Sequence, residues 1–208
     1  MNIETLEVGP IGTSCYVVWG KTAEALVIDP GADAEAILNT IRSKKLSIAA
    51  YLLTHGHMDH VSALADMYDK APAPIAIHSD DLAWAFGDMN TMWPIYPTAP
   101  RSPAKVERIL KGGEEFTDAG LRYRVINTPG HTPGGVCFHF FEEGVLFSGD
   151  TLFAGSVGRT DLPGGDSRVL ARSLATLTKL PDTTTIYPGH GPTALLGDEK
   201  RTNYFLKR

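Results

Sequence analysis

Residues Ser47 to His60 read SIAAYLLTHGHMDH, a run of apolar and β-branched residues that ends in three histidines and an aspartate within six positions. Ser47 to Thr54 is apolar almost throughout, the mark of a strand buried on both faces, as in a parallel sheet covered by helices. His55, His57, Asp59 and His60 follow where that strand must turn, so they stand on a rigid platform, and Gly56 lets the backbone close up around them. A solvated turn has no use for such a cluster. A metal ion does, because imidazole and carboxylate together suit Zn²⁺, Fe or Mn²⁺.

Outward from this segment the arrangement repeats. Thr128-Pro129-Gly130-His131 follows LRYRVIN, Ser148-Gly149-Asp150 follows GVLF, and Tyr187-Pro188-Gly189-His190 follows TTTI. Each places a ligand type beside glycine at a strand end. His55, His57, Asp59, His60, His131, Asp150 and His190 are too many ligands for one four-coordinate ion, so two ions sharing a carboxylate are expected, with Asp150 as the natural bridge. His55 and His57 point the same way in an extended turn, while Asp59 and His60 turn toward a neighbouring centre. Of the seven histidines, that leaves His78 and His139. Both are expected in structural or solvent-facing roles, His139 because it alternates with Phe138 and Phe140 along a strand.

The flanking pattern predicts a β-β-α-β opening: strands Cys15–Trp19 and Ala25–Ile28, a turn at Asp29-Pro30-Gly31, a helix over Ala34–Arg42, then the strand already described. A helix from about Val61 to Tyr68, a strand Ile75–Ile77 and a helix N-capped by Ser79, with Asp80 and Asp81 in its first turn, come next. Gly87 to Ala104 has no period and reads as a long surface loop. Its part from Gly87 to Arg101, with Met89, Met92, Trp93 and Tyr96, is a candidate substrate flap. Strands Leu121–Asn127, Gly135–Phe141, Gly144–Ser148 and Thr184–Tyr187, with a helix over Ser167–Leu180, complete the chain. Two β-rich halves, each followed by helices, predict a single α/β (α+β) domain over residues 1–208 with a pair of sheets and helices outside.

Composition sets the bounds. With 43% hydrophobic residues in 208, the chain can bury a substantial core, which argues against disorder. A net charge of −5 with scattered Lys and Arg lacks the basic field that nucleic-acid binders need. No apolar run approaches the roughly 20 residues of a membrane span, and MNIETLEVGP has no leader pattern, so a cytoplasmic protein without membrane or nucleic-acid partners is expected, as monomer or small homo-oligomer. Cys15 and Cys137 form no C-x-x-C and are expected as buried free thiols.

The chain resembles the metallo-β-lactamase fold superfamily and, within it, the short glyoxalase II-like hydrolases. The resemblance is carried by Asp29-Pro30-Gly31, by His55 to His60, by Thr128 to Thr132, by Ser148 to Phe153, by Ser156 to Asp166 (SVGRTDLPGGD) and by Pro188 to Gly191. It implies an αββα sandwich with the metals at one edge of the sheets. His55, His57 and His131 would hold the first of two divalent ions, zinc before iron or manganese; Asp59, His60 and His190 would hold the second; Asp150 would bridge them, and Asp29 would brace the His55 loop. It implies hydrolysis of a small-molecule thioester, S-D-lactoylglutathione or a related 2-hydroxyacyl thioester, by a metal-bound hydroxide. In that reaction Asp59 orients or deprotonates the water, Arg159 meets a substrate carboxylate or pairs with Asp161, and Trp93 and Tyr96 contact the substrate. Two departures bear on glutathione. Classical glyoxalase II enzymes have a C-terminal helical domain, whereas this chain stops soon after His190, and Gly158-Arg159-Thr160-Asp161 stands where they carry lysine and tyrosine. The Gly-Arg-Thr-Asp segment is similar instead to persulfide dioxygenases, in which a single iron activates O₂. A binding module that had lost its chemistry would not be expected to keep all seven ligands.

Overall fold

Adjacent residues in the central strands face different cores, and that alternation builds the molecule. In the computed structural model, which describes residues 1–207, Val17 and Val18 are both fully buried, yet Val17 packs outward toward helices and Val18 inward toward a second sheet. The first sheet has the order β1 (Asn2–Val8), β2 (Thr13–Trp19), β3 (Glu24–Ile28), β4 (Ser47–Leu52), β5 (Ile75–His78), β6 (Arg108–Leu110). Its first three strands are antiparallel, and β3 through β6 run parallel. Parallel neighbours need crossovers, supplied by α1 (Ala34–Ser43), the short α2 (Met58–Val61) with α3 (Leu64–Lys70), and α4 (Ser79–Leu82) with the loop after it.

The second sheet comprises β7 (Glu115–Asp118), β8 (Leu121–Asn127), β9 (Val136–Phe140), β10 (Val145–Gly149), β13 (Thr185–Pro188) and β14 (Ala194–Leu195), while β11 (Leu152–Phe153) and β12 (Ser156–Val157) pair separately. The helix α5 (Ser167–Leu177) crosses between β10 and the parallel β13, and α6 (Leu196–Thr202) closes the far edge.

Three cores follow. Val18, Leu26, Ile28 and Leu52 meet Tyr123, Phe138, Phe140 and Phe147 between the sheets. Val17, Val27, Tyr51 and Ile77 meet Ile37, Ile41, Leu64 and Met67 beneath α1 and α3, and Cys137, Leu146 and Ile186 meet Leu170, Leu174 and Leu177 beneath α5. The result is the expected αββα sandwich. Cys15 and Cys137 are free and buried.

Some expectations are corrected. The helix expected over Val61–Tyr68 is two short helices, because α2 starts earlier, at Met58, and breaks at Ser62. The residue capping α4 is His78, whose Nδ1 accepts the backbone N–H of Asp80 at 3.2 Å, rather than Ser79. His139 is placed as expected, buried beside Phe141 on the face opposite Phe138 and Phe140. Strands β1, β6, β7, β11, β12 and β14 lie outside the strands that the sequence pattern predicts.

Candidate metal centre

The four ligand-bearing turns all leave the sheets at one edge. His57 occupies the position preceding α2, so Asp59 and His60 lie on that helix's first turn and swing away from His55 and His57. His131 lies between β8 and β9, Asp150 directly after β10, and His190 two residues past the end of β13. Hydrogen bonds tie the sheets together here: Val136 N–H donates to Thr54 O and Ser14 N–H to Gly189 O, both at 2.8 Å. Gly189 must be glycine, since a Cβ would stand 2.2 Å from Asp150 Oδ1. Gly31 likewise leaves room for Asp59, whose carbonyl oxygen a Cβ would approach to 1.6 Å.

All seven predicted residues converge. Ligand atoms of His55, His57 and His131 lie within 4.8 Å of one another, as do those of Asp59, His60 and His190; His55, His60 and Asp150 form a third such set that straddles the other two. His57 Nδ1 faces His131 Nε2 at 2.9 Å. Asp59 Oδ2 is 3.3 Å from His60 Nε2 and 3.2 Å from His190 Nε2. Asp150 reaches both groups, with Oδ1 3.5 Å from His60 Nε2 and Oδ2 3.5 Å from His131 Nε2.

Neighbouring groups fix which imidazole nitrogens face inward. Asp29 accepts Thr54 N–H at 2.8 Å and Thr54 Oγ1–H at 2.6 Å, and it accepts the Nδ1–H of His60 at 3.0 Å. With its proton given to Asp29, the Thr54 hydroxyl accepts from His55 Nδ1 at 3.1 Å. His131 Nδ1 donates to the Arg159 carbonyl at 2.7 Å. In each case Nδ1 keeps the proton and Nε2 presents a lone pair, as metal-ligating histidines require. His55 Nε2, His60 Nε2 and Asp150 Oδ1 are buried without a hydrogen-bond partner. Buried polar atoms left so are costly unless a ligand takes them up, and three aimed at one point fit a metal ion.

The electrostatics agree. Burial pushes the His57 imidazole down to about 3, with His131 adding to the effect, and burial drives His55 down as well. Both are neutral imidazoles, ready to donate electron pairs. Burial opposes charge on His60, His190 and Asp59 alike, but their pairing outweighs it: both imidazoles are pushed up and the Asp59 carboxyl is held well below the usual carboxylate range, so a bound cation would displace protons from these imidazoles as it takes their lone pairs.

Four residues outside the motifs belong to the site. Asp81, fully buried, accepts Gly56 N–H at 2.8 Å, Thr132 Oγ1–H at 2.7 Å and Gly134 N–H at 2.6 Å, stapling the His55–His57 turn to the His131 loop. Thr13 Oγ1–H donates to Asp59 Oδ2 at 2.8 Å. Asn90 donates to Gly56 O at 2.8 Å and Ala85 O at 2.6 Å, anchoring the start of the 87–101 loop, and the Trp84 ring lies 5.4 Å from that of His57. Thr13, Trp84 and Asn90 carry no sequence signal of their own; Asp81 reads as an ordinary first-turn helix acid.

A cavity of about 1060 Å³ opens above the cluster, and Arg159, Met89 and Met92 line it. Trp93 and Tyr96 do not. Trp93 is 81% exposed, and Tyr96 is buried, its hydroxyl where a Cβ on Gly9 would come within 2.5 Å. A Met92–Tyr96 backbone bridge pinches the loop between them.

A sandwich of this layering, with a histidine–aspartate cluster at the shared edge of its sheets, defines a class of metal-binding hydrolases. The family model of the metallo-beta-lactamase superfamily matches residues 8–190, and the chain belongs to that superfamily. It is 34% identical over 218 residues to hydroxyacylglutathione hydrolase GloC of Haemophilus influenzae, covering 99% of this chain and 98% of the relative. Among solved structures it is similar to BLEG-1 B3 metallo-beta-lactamase (TM-score 0.93, 36% identity, 100% of both chains) and to TTHA1623 in a di-iron-bound form (TM-score 0.87, 39% identity, 98% of this chain and 100% of that one). Divalent-metal binding comes with the family, and the TTHA1623 structure is of a di-iron-bound form. Among the described residues no helix is long and apolar enough to cross a membrane.

Proposed function

We propose that the chain hydrolyses a 2-hydroxyacyl thioester of the S-D-lactoylglutathione type at a two-metal centre. The observation that carries this reading is the convergence of His55 Nε2, His60 Nε2 and Asp150 Oδ1, buried and unpartnered, among the other ligand atoms. His55, His57 and His131 would hold one ion and Asp59, His60 and His190 the other, with Asp150 within reach of both groups. Divalent ions so held would lower the pKa of water from 15.7 to about 7 and would polarise a carbonyl.

The chain's own groups do the rest. Asp59, oriented by the Thr13 hydroxyl at 2.8 Å, positions the attacking water and takes up its proton. The water oxygen bonds to the carbonyl carbon, the C–S bond breaks, and the electron pair leaves on sulfur. A thiolate is a good leaving group, and the proton held at Asp59 returns to it as free thiol. Arg159, at the cavity rim, is held by Asp161 through two hydrogen bonds of 2.6 Å. The name borne by the Haemophilus relative supports the thioester reading.

The test is thiol release from S-D-lactoylglutathione by the metal-loaded protein, with Asp150→Ala abolishing it. Oxygen uptake with glutathione persulfide and no thiol release would favour the mono-iron dioxygenase chemistry instead.

A further inference from the structure

The walls of the cavity differ from its floor. Trp84 sets its ring 5.4 Å from His57, and Phe153 sets its ring 6.2 Å from His190, so an aromatic side chain stands against each group of ligands. Ile11, Met89, Met92 and Leu162 continue the wall outward. Met89 is 93% exposed, which leaves a flexible, polarizable side chain open to solvent at the mouth. Exposed apolar surface beside a concave site marks ligand contact.

Charge is sparse by comparison. Among the described lining residues outside the cluster, Asp88 and Arg159 are the charged ones, and Arg159 is forked onto Asp161 by two hydrogen bonds of 2.6 Å. Glutathione brings two carboxylates and an ammonium group. Against this wall its charges lose water and meet one guanidinium, which a carboxylate already engages, so their desolvation is poorly compensated. An uncharged alkyl or aryl group gains by the same burial.

Resting on the thioesterase reading, we infer that the thiol half of the substrate is an uncharged apolar group rather than glutathione. The acyl half lies over the ligands and the thiol half lies between Trp84 and Phe153. In this the chain departs from what its Haemophilus relative's name implies.

Two thioesters that share the acyl group test it on the zinc-loaded full chain: S-D-lactoylglutathione and the S-D-lactoyl ester of phenylmethanethiol. The expected result is a kcat/KM about tenfold or more higher for the phenylmethyl ester, carried mainly by KM. Leu162→Lys, which adds a cation to the wall, is expected to narrow that preference about threefold or more. A glutathione ester cleaved as well or better would overturn the inference while leaving the thioesterase intact, and an unmoved preference in Leu162→Lys would overturn its basis in charge. If neither ester is cleaved, the thioesterase reading fails and takes the inference with it.

Discussion

Asp81 lies 25 residues from Gly56 and 53 from Gly134 in sequence, yet its carboxylate accepts from both. Burial raises its pKa, so the three donors around it are what keep the group useful as an acceptor. Asp81→Ala should leave those donors unmatched, costing about 2–4 kcal/mol of stability, and should weaken metal retention by about 10–100-fold, as read by chelator competition. Normal retention in a folded Asp81→Ala protein would contradict the stapling role. Asp118 gives a pH-dependent counterpart. Burial favours its neutral form, but two hydrogen bonds from Arg108, at 2.6 and 2.9 Å, and one from Tyr123 at 2.7 Å, hold its pKa below the ordinary value. A depressed folded pKa means stability that is present above the unfolded value near 3.9 and lost as pH falls through the folded one. Asp118→Asn should therefore be about 1–2 kcal/mol less stable than wild type at pH 7, with the gap narrowing as pH falls below the unfolded value near 3.9. A gap independent of pH in paired urea titrations would refute this. The ligands themselves were legible because each sits in a Gly-containing turn after an apolar strand. Asp81, Thr13 and Trp84 were not, because their partners are distant in sequence.

At the scale of elements, the strands that build the central core announced themselves through apolar runs, whereas β1 did not. In NIETLEV, Glu4, Thr5 and Glu7 interrupt the apolar residues, as befits a sheet edge that needs burial on only one side. The edge strands β6 and β7 are three and four residues long and leave no period to read. Phe138, fully buried between the sheets on β9, should cost about 3–5 kcal/mol when changed to Ala, measured by urea unfolding. The 87–101 loop is irregular, as its lack of a period predicts, but composition does not say which of its side chains face the cavity. Trp93→Ala should leave kcat/KM within about twofold of wild type, while Trp84→Ala should raise KM roughly tenfold, the equivalent of about 1.4 kcal/mol. Equal effects from the two substitutions would contradict the placement of the loop.

For the molecule as a whole, the αββα architecture was legible as two β-rich halves with helices outside, and the centre is where those halves meet. Its ligands come from the turn after β4 in one sheet and from turns after β8, β10 and β13 in the other. Ions bound there tie the sheets together, so chelation should lower Tm, and each ion present at a thousandfold excess over its Kd contributes about 4 kcal/mol. Cys15 and Cys137 are buried and free, so reducing agents should not alter that melting behaviour. The central claim is a two-ion site bridged by Asp150, and metal analysis of anaerobically purified protein tests it most directly. The expected result is close to two divalent ions per chain in the wild type and at least one fewer in Asp150→Ala. A wild type holding a single iron, with an undiminished content in Asp150→Ala, would contradict it.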